Sequence, residues 1–207
     1  SFTKYSAAFL LPAVLFFFAG CSTSQISVNK KELKNINTIA IMKFEAGEGI
    51  NKKVAKECEE SFKGHFINLK KKVVERDKLD AIIKEIEKSQ TGLMKDPIEI
   101  GKLSGAQALL FGEVTEYEED VRRVKYLQYN KKTKKNVEKE KNKKFFTFQI
   151  NVRLVSSSTG EIILTLKNKY PENSYEMTDS TTLTRYKERI LNQMGDDLKD
   201  VLKEKKK

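Results

Sequence analysis

The chain has no tryptophan, one histidine, two cysteines and three prolines in 207 residues. One imidazole and two thiols leave few parts for a metal cage, a disulfide framework or a histidine-based active site. Three prolines and ten glycines exclude a collagen-like or Pro-rich chain. Negative charge is also short: 29 Asp and Glu stand against 40 Lys and Arg, a formal net charge of +11. A hydrophobic content of 39% argues against wholesale disorder, and the length suits one domain with or without appendages.

The long apolar run that is present sits at the N-terminus. Lys4 is the only charge before the 13 residues from Ala7 to Ala19, which are too few to span a bilayer comfortably and end in the small pair Ala19 and Gly20. Charge, short apolar stretch and small-residue exit together predict an export signal over residues 1–20 that is removed. The segment Phe18-Ala-Gly-Cys21 resembles a bacterial lipobox, which implies a covalent diacylglycerol and an N-acyl chain on Cys21 and no other cofactor. The competing readings are an uncleaved anchor and a plain secretory signal with an incidental Cys. Two or more acyl chains hold a protein stably on a membrane without a spanning helix. An Asp after such a Cys often signals inner-membrane retention; Ser22 stands there instead, so by resemblance the outer membrane is expected, at its periplasmic face.

Residues 21–35 are polar after Cys21 and read as a lipidated N-terminus with a flexible tether. Ile36 to Phe44 is a β-branched and apolar run that predicts a buried strand ending in the Gly47 and Gly49 loop. Val54, Cys58, Phe62, Phe66 and Leu69 recur at steps of four and three, one face of a helix. A short strand at 73–76, a helix capped by Asp77, a helix opened by Asp96 and Pro97, and a strand from Ala108 to Val114 follow. Phe146 to Leu154 alternates apolar and polar residues, and after the turn cluster Ser156 to Gly160 so do Ile162, Leu164 and Leu166, which predicts an antiparallel pair. Leu183, Ile190, Leu191, Met194 and Leu198 predict a terminal helix starting near Ser180 or Thr181. Helix-linked strands favour parallel pairing, so the fold class is α/β (α+β): one domain over 36–207, a mixed sheet with helices packed on it, a C-terminal helix and a basic hairpin insertion.

The positive charge is concentrated. From Val121 to Lys144 there are eleven Lys or Arg and two acids, and Lys203 to Lys207 adds three more net charges, so the rest of the chain is nearly neutral. One reading is a solvated loop. The functional reading is an anionic-partner site made of Arg122, Arg123, Lys125, Lys131, Lys132, Lys134 and Lys135, interleaved with Tyr126 and Tyr129, facing phospholipid headgroups, an acidic protein or a cell-wall polymer. Nucleic acid would be drawn by the same charge but is not a partner an exported protein meets. Elsewhere the residues point away from an enzyme. His65 and Cys58 belong to the apolar helix, the pairs Glu59 with Glu60 and Asp196 with Asp197 read as solvated, and Gly47-Glu-Gly49 is too short for a phosphate loop.

Four stretches carry a family resemblance: Ile39-Ala-Ile-Met-Lys-Phe44, Val73-Val-Glu-Arg76 with Leu79, Gly105-Ala-Gln-Ala-Leu-Leu-Phe-Gly-Glu-Val114, and Val152-Arg-Leu-Val-Ser-Ser-Ser-Thr-Gly-Glu-Ile-Ile-Leu164. In this order behind Cys21 they resemble the CsgG-like lipoproteins of curli production and secretion, whose periplasmic domain is similar to LpoB and to the N-terminal domain of TolB. The resemblance implies an outer-membrane-anchored periplasmic lipoprotein acting as a non-catalytic binding or assembly factor, with a protein partner or further copies of itself. The alternatives it implies are a subunit of an outer-membrane secretion pore and an LpoB-like activator of a cell-wall enzyme. In the pore-forming members inserted hairpins build a barrel, and a lipid-facing strand needs about ten residues with every second one apolar. Asn130 to Lys144 offers only Val137, and Lys167 to Ser180 is polar and broken by Pro171, so the pore-forming half is expected to be absent.

Overall fold

A computed structural model describes residues 24–89, 97–168, 175–176 and 182–202. The signal-like segment, Cys21, Gly92, Asp96 and the final lysines lie outside these residues.

The described chain runs β1 (Ser24–Val28), α1 (Lys30–Asn35), β2 (Thr38–Ile41), β3 (Glu45–Ala46), α2 (Lys52–Asn68), β4 (Lys72–Val73), α3 (Arg76–Ser89), α4 (Pro97–Ser104), β5 (Ala108–Asn130), β6 (Lys135–Ser156), β7 (Ile162–Asn168), β8 (Tyr175–Glu176) and α5 (Leu183–Leu202). One mixed sheet holds the strands in the order β1-β7-β6-β5-β2-β4, with β3 added to β5 and β8 to β6. Strands linked through helices pair parallel, β2 with β4 and with β5, whereas the hairpin-linked β5, β6 and β7 pair antiparallel. The α/β (α+β) expectation of a mixed sheet with helices on it and a C-terminal helix therefore holds.

Two apolar clusters fix the layers. On one face α1, α2 and α5 cover the sheet through Leu33, Cys58, Phe62, Phe66, Ile190 and Met194, packed on inward residues such as Ile39, Leu110, Phe148 and Leu164. On the other face α3 and α4 cover only the β2 and β5 region, with Leu79, Ile86 and Ile100 against Ala40, Met42 and Leu109. The β2 core residues alternate between the clusters, so this strand is buried on both faces and reads as a continuous apolar run. Asn51 caps α2 by accepting a hydrogen bond from the Lys53 N–H at 2.9 Å. Gly105 ends α4 at φ +73°, a left-handed conformation that glycine adopts without a Cβ clash. Gly112 is required for space: a Cβ there would lie 2.3 Å from the Phe44 ring.

Several expectations are corrected. Residues 24–35 are not a tether: Ser24–Val28 pairs with β7 from Ser24↔Asn168 to Val28↔Leu164, and Lys30–Asn35 is a helix capped by Asn29. Alternate Ile26 and Val28 pack on the core, a two-residue period too short to stand out in a polar stretch. The second strand is reduced to Lys72–Val73, and Asp77 lies inside the first turn of α3 rather than capping it, where its charge still complements the helix dipole. In β7 the register shifts opposite Leu154 and Val155, which turns Ile162 outward at 56% exposure and buries Ile163. Such a bulge breaks the simple alternation. Glu59 is not solvated: at 8% exposure it accepts from the Phe44 N–H at 3.1 Å and pairs with Arg76, joining α2 to the loop after β2 and to α3.

The two chemically distinctive side chains of α2 are structural in placement. Cys58 is fully buried, and burial pushes its thiol up to about 12, so it stays protonated. His65 is held below its usual value by burial; its Nε2 lies 3.0 Å from the Leu191 carbonyl on α5. Cys58→Ser puts a hydroxyl among apolar atoms and is expected to cost roughly 1–3 kcal/mol in urea melts. An unchanged midpoint together with fast thiol labelling of the native protein would contradict that placement.

Candidate anionic-surface interface

The basic run forms the expected hairpin insertion rather than a solvated loop. β5 and β6 continue past the body of the sheet as a two-stranded antiparallel ribbon, paired without interruption from Glu116↔Gln149 to Asn130↔Lys135. At about 3.3 Å per residue the arm from Tyr117 to Asn130 reaches roughly 45 Å. The tip is a four-residue turn, 131–134, in which the Asn130 side chain accepts from the Lys132 N–H at 2.9 Å and the Thr133 N–H at 3.3 Å. Such a side-chain turn is what Asn supplies at the start of a reversal.

The root of the ribbon is tied to the core. Tyr117 packs edge-on to Phe148 with centroids 6.2 Å apart, and Phe146 lies 5.9 Å from Tyr186 of α5. Lys187 of α5 is 3% exposed, pairs with Glu57 of α2 and sits 5.9 Å over the Tyr117 ring. This buried cation, absent from the expected core, joins two helices to the base of the hairpin.

Because side chains alternate along a strand and cross-strand partners share a face, the register sorts the ribbon into two faces. On the first, continuous with the α2 and α5 side of the sheet, lie Val121, Arg123, Lys125, Leu127 and Tyr129, opposite Lys144, Asn142, Glu140, Glu138 and Asn136. Its charges are compensated: Lys144 with Glu119 at 2.8 Å, Arg123 with Glu140 at 3.7 Å and Lys125 with Glu138 at 2.7 Å. On the second lie Arg122, Val124, Tyr126, Gln128 and Asn130, opposite Lys143, Lys141, Lys139, Val137 and Lys135. Between Val121 and Lys144 this second face has five cations and no acid. Arg122 lies 5.1 Å over the Phe145 ring and pairs with Asp120 at its base, and Lys141 lies 5.3 Å over Tyr126.

The structure thus divides the residues expected to form one site. Arg122 and Lys135 share the cationic face, Arg123 and Lys125 are on the compensated one, and Lys131, Lys132 and Lys134 occupy the turn. Lys139, Lys141 and Lys143 belong with Arg122 and were missed; their spacing of two is the signal that places them together once 135–144 is known to be a strand. The first arm also contributes Val121, Val124 and Leu127 to the hairpin, apolar residues that the count over Asn130 to Lys144 leaves out.

Two further features complete the surface. The half of the sheet that α3 and α4 leave open forms a groove of about 740 Å³ lined by Phe111, Glu113, Asn151, Arg153, Thr165 and Lys167, with the Arg153 guanidinium 5.2 Å over Phe111. Among the described residues no group of three or more His, Cys, Asp or Glu is placed to hold a metal ion, and no helix is long and apolar enough to cross a membrane.

Among curated proteins no match was found. Solved structures similar to the chain include a PelC dodecamer from Paraburkholderia phytofirmans, at 9% identity over 88% of this chain and 99% of that one with a TM-score of 0.48. Lipoprotein GNA1162 from Neisseria meningitidis is 14% identical over 77% of this chain and 98% of that one, with a TM-score of 0.42. The LpoB C-terminal domain from Escherichia coli is 15% identical over 66% and 83%, also at 0.42. The family model described as curli production assembly/transport component CsgG matches residues 70–192, from the approach to β4 through the basic ribbon into α5. That is more than half of the chain, and it includes the ribbon itself; the chain belongs to the CsgG family.

Proposed function

We propose that this protein is a lipid-anchored periplasmic factor of the outer membrane that binds or assembles partners without catalysis, anchored through Cys21. The observation that supports the reading is that β1, which starts three residues after Cys21 in sequence, begins at the end of the sheet from which the ribbon leaves. Ser24 pairs with Asn168, the neighbouring Lys167 with Asn151, and Asn151 with Glu113, so β1 begins at the level where β5 and β6 leave the sheet as a ribbon. Only three peptide units separate Cys21 from Ser24, at most about 11 Å of extended chain. An acylated Cys21 would therefore hold this end of the domain close to the bilayer, with the ribbon on the membrane side. A protein partner or further copies of the chain would then engage the surfaces left free.

A second reading, a subunit of an outer-membrane pore, is favoured by one observation. Each arm of the ribbon exceeds the 9–11 residues that a spanning β-strand needs. Against it stands the sequence of the arms, which places charges on both faces, whereas a lipid-facing side requires an apolar band about 25 Å tall.

Replacing Cys21 with Ser removes the only atom able to take a thioether-linked diacylglycerol at this motif. Metabolic labelling with a fatty-acid probe is expected to mark the wild type and not Cys21→Ser, and density-gradient fractionation is expected to place the wild type with outer membranes. Equal labelling of both proteins would remove the anchor from the account.

A further inference from the structure

The division of charge between the two ribbon faces has a direction. We infer that the ribbon lies against the anionic phospholipid headgroups of the anchoring membrane through its second face only, that of Arg122, Lys135, Lys139, Lys141 and Lys143, while the first face stays in water. This rests on the lipid-anchor reading for its orientation and deepens it by naming the ligand chemistry and the contacting side chains.

Three observations converge. The first is sidedness. Alternation on β6 sends Lys135, Val137, Lys139, Lys141, Lys143 and Phe145 to one face and Asn136, Glu138, Glu140, Asn142 and Lys144 to the other. A hairpin built only for solubility gains nothing from such sorting, whereas a flat anionic layer is complementary to one face and indifferent to the other. The second is composition. Between the cations of the second face stand Val124, Tyr126 and Val137, with Phe145 at its base; the first face carries its own exposed Val121, Leu127 and Tyr129, so the apolar side chains suit a headgroup boundary while the charge alone separates the two faces. Long cationic stems and aromatic rings with apolar bodies and polar ends suit the headgroup boundary, where both can be satisfied at once. The third is position. The ribbon leaves the sheet at the end where β1 begins, so an anchor at Cys21 would hold the ribbon near the headgroup layer at a high effective concentration.

The same facts choose between lying on the bilayer and entering it. Inserting the ribbon would carry Arg122, Lys139, Lys141 and Lys143 from one face and the Glu138 and Glu140 pairs from the other into hydrocarbon. Each such cation opposes insertion most strongly at the bilayer midplane. At the headgroup level the same cations are attractive, because each Lys or Arg near an anionic surface strengthens binding roughly fivefold. An acidic polysaccharide would meet the same charges, but not the apolar side chains set between them.

The test uses the full lipidated chain in vesicles, with an environment-sensitive fluorophore at Gln128→Cys on the second face or at Asn136→Cys on the first. Vesicles contain a headgroup-attached quencher and either phosphatidylglycerol or only phosphatidylcholine. Strong quenching at position 128 and weak quenching at 136 is expected on phosphatidylglycerol, and it should disappear on phosphatidylcholine and in high salt. In the triple variant Lys139→Gln, Lys141→Gln, Lys143→Gln the ratio of docked to undocked ribbon should fall roughly a hundredfold, whereas the corresponding Lys→Arg triple should retain docking. Arg123→Gln with Lys125→Gln should lower it by no more than about threefold, because those side chains lie on the opposite face of the ribbon.

Equal quenching at 128 and 136, no quenching on phosphatidylglycerol at low salt, or quenching at both positions by a probe in the acyl-chain region would each overturn the inference. So would loss of the signal at 128 when an acidic polysaccharide is added at equal charge. Failure of the anchor reading looks different: the protein would then leave the vesicles on flotation in high salt, whereas failure of the face assignment alone leaves flotation intact.

Discussion

Phe62→Ala is expected to destabilise the domain by about 3–5 kcal/mol, the range for truncating a large buried aromatic without collapse of the site. Phe62 is fully buried in the middle of α2 and lies 5.9 Å from both the Phe44 ring and the His65 ring, the latter edge-on. Phe44 in turn fills the space that Gly112 leaves open on β5, and His65 reaches α5, so the cavity would open where α2, the central strand and the terminal helix meet. In a domain of this size each kcal/mol shifts the melting midpoint by roughly 2–4 °C, so a fall of about 6–20 °C is expected by calorimetry. Ile67→Ala, one residue from Phe66 but 52% exposed, should stay within about 0.5 kcal/mol of wild type. Similar losses for the two variants would mean that α2 does not present this face to the sheet.

How much of this was legible in the sequence depends on what each segment's pattern was competing against. The α2 stripe was readable because Val54, Cys58, Phe62 and Phe66 recur with helical period over four turns, and all four are buried. The alternation of Phe146, Phe148, Ile150, Val152 and Leu154 was equally plain, since one face meets a core and the other does not. The ribbon beyond Phe146 was not readable in that way, because neither of its faces is buried. Its alternation is written in charge rather than hydropathy, Lys against Glu and Asn, and a charge run without a core face resembles a loop. β1 escaped because an edge strand of five residues with two inward apolar side chains gives too short a signal. Its partner was also more than 130 residues away. Glu59 and Lys187 were hidden for a different reason: each is buried only because a distant partner, Arg76 or Glu57, neutralises it, and pairs across elements leave no periodic trace.

The candidate site was therefore legible in content and not in arrangement. Counting charges located the basic segment, of which Arg122 and Lys135 share one face. What counting could not supply was the register, which moves Arg123 and Lys125 into ion pairs with Glu140 and Glu138 and brings Lys139, Lys141 and Lys143 beside Arg122. Membership of the CsgG family makes this arrangement consequential, because the family match includes the whole ribbon. The decisive question is whether this chain's ribbon can enter a membrane.

Planar-bilayer conductance of the purified full chain answers that question most directly. Backbone N–H and C=O groups in hydrocarbon must be paired and shielded, and a barrel wall must turn an apolar face to lipid. Here the first face carries Arg123, Lys125, Glu138, Glu140 and Lys144, and the second carries Arg122 and four lysines, so neither face offers such a wall. Membrane-bound protein and no unitary current at any protein concentration are expected, with docking of the ribbon, but not the anchorage itself, weakening steeply as salt rises. Stable single-channel steps of reproducible size, abolished by deleting residues 119–144 and insensitive to the Lys→Gln triple, would contradict it and make the ribbon a pore-forming strand pair.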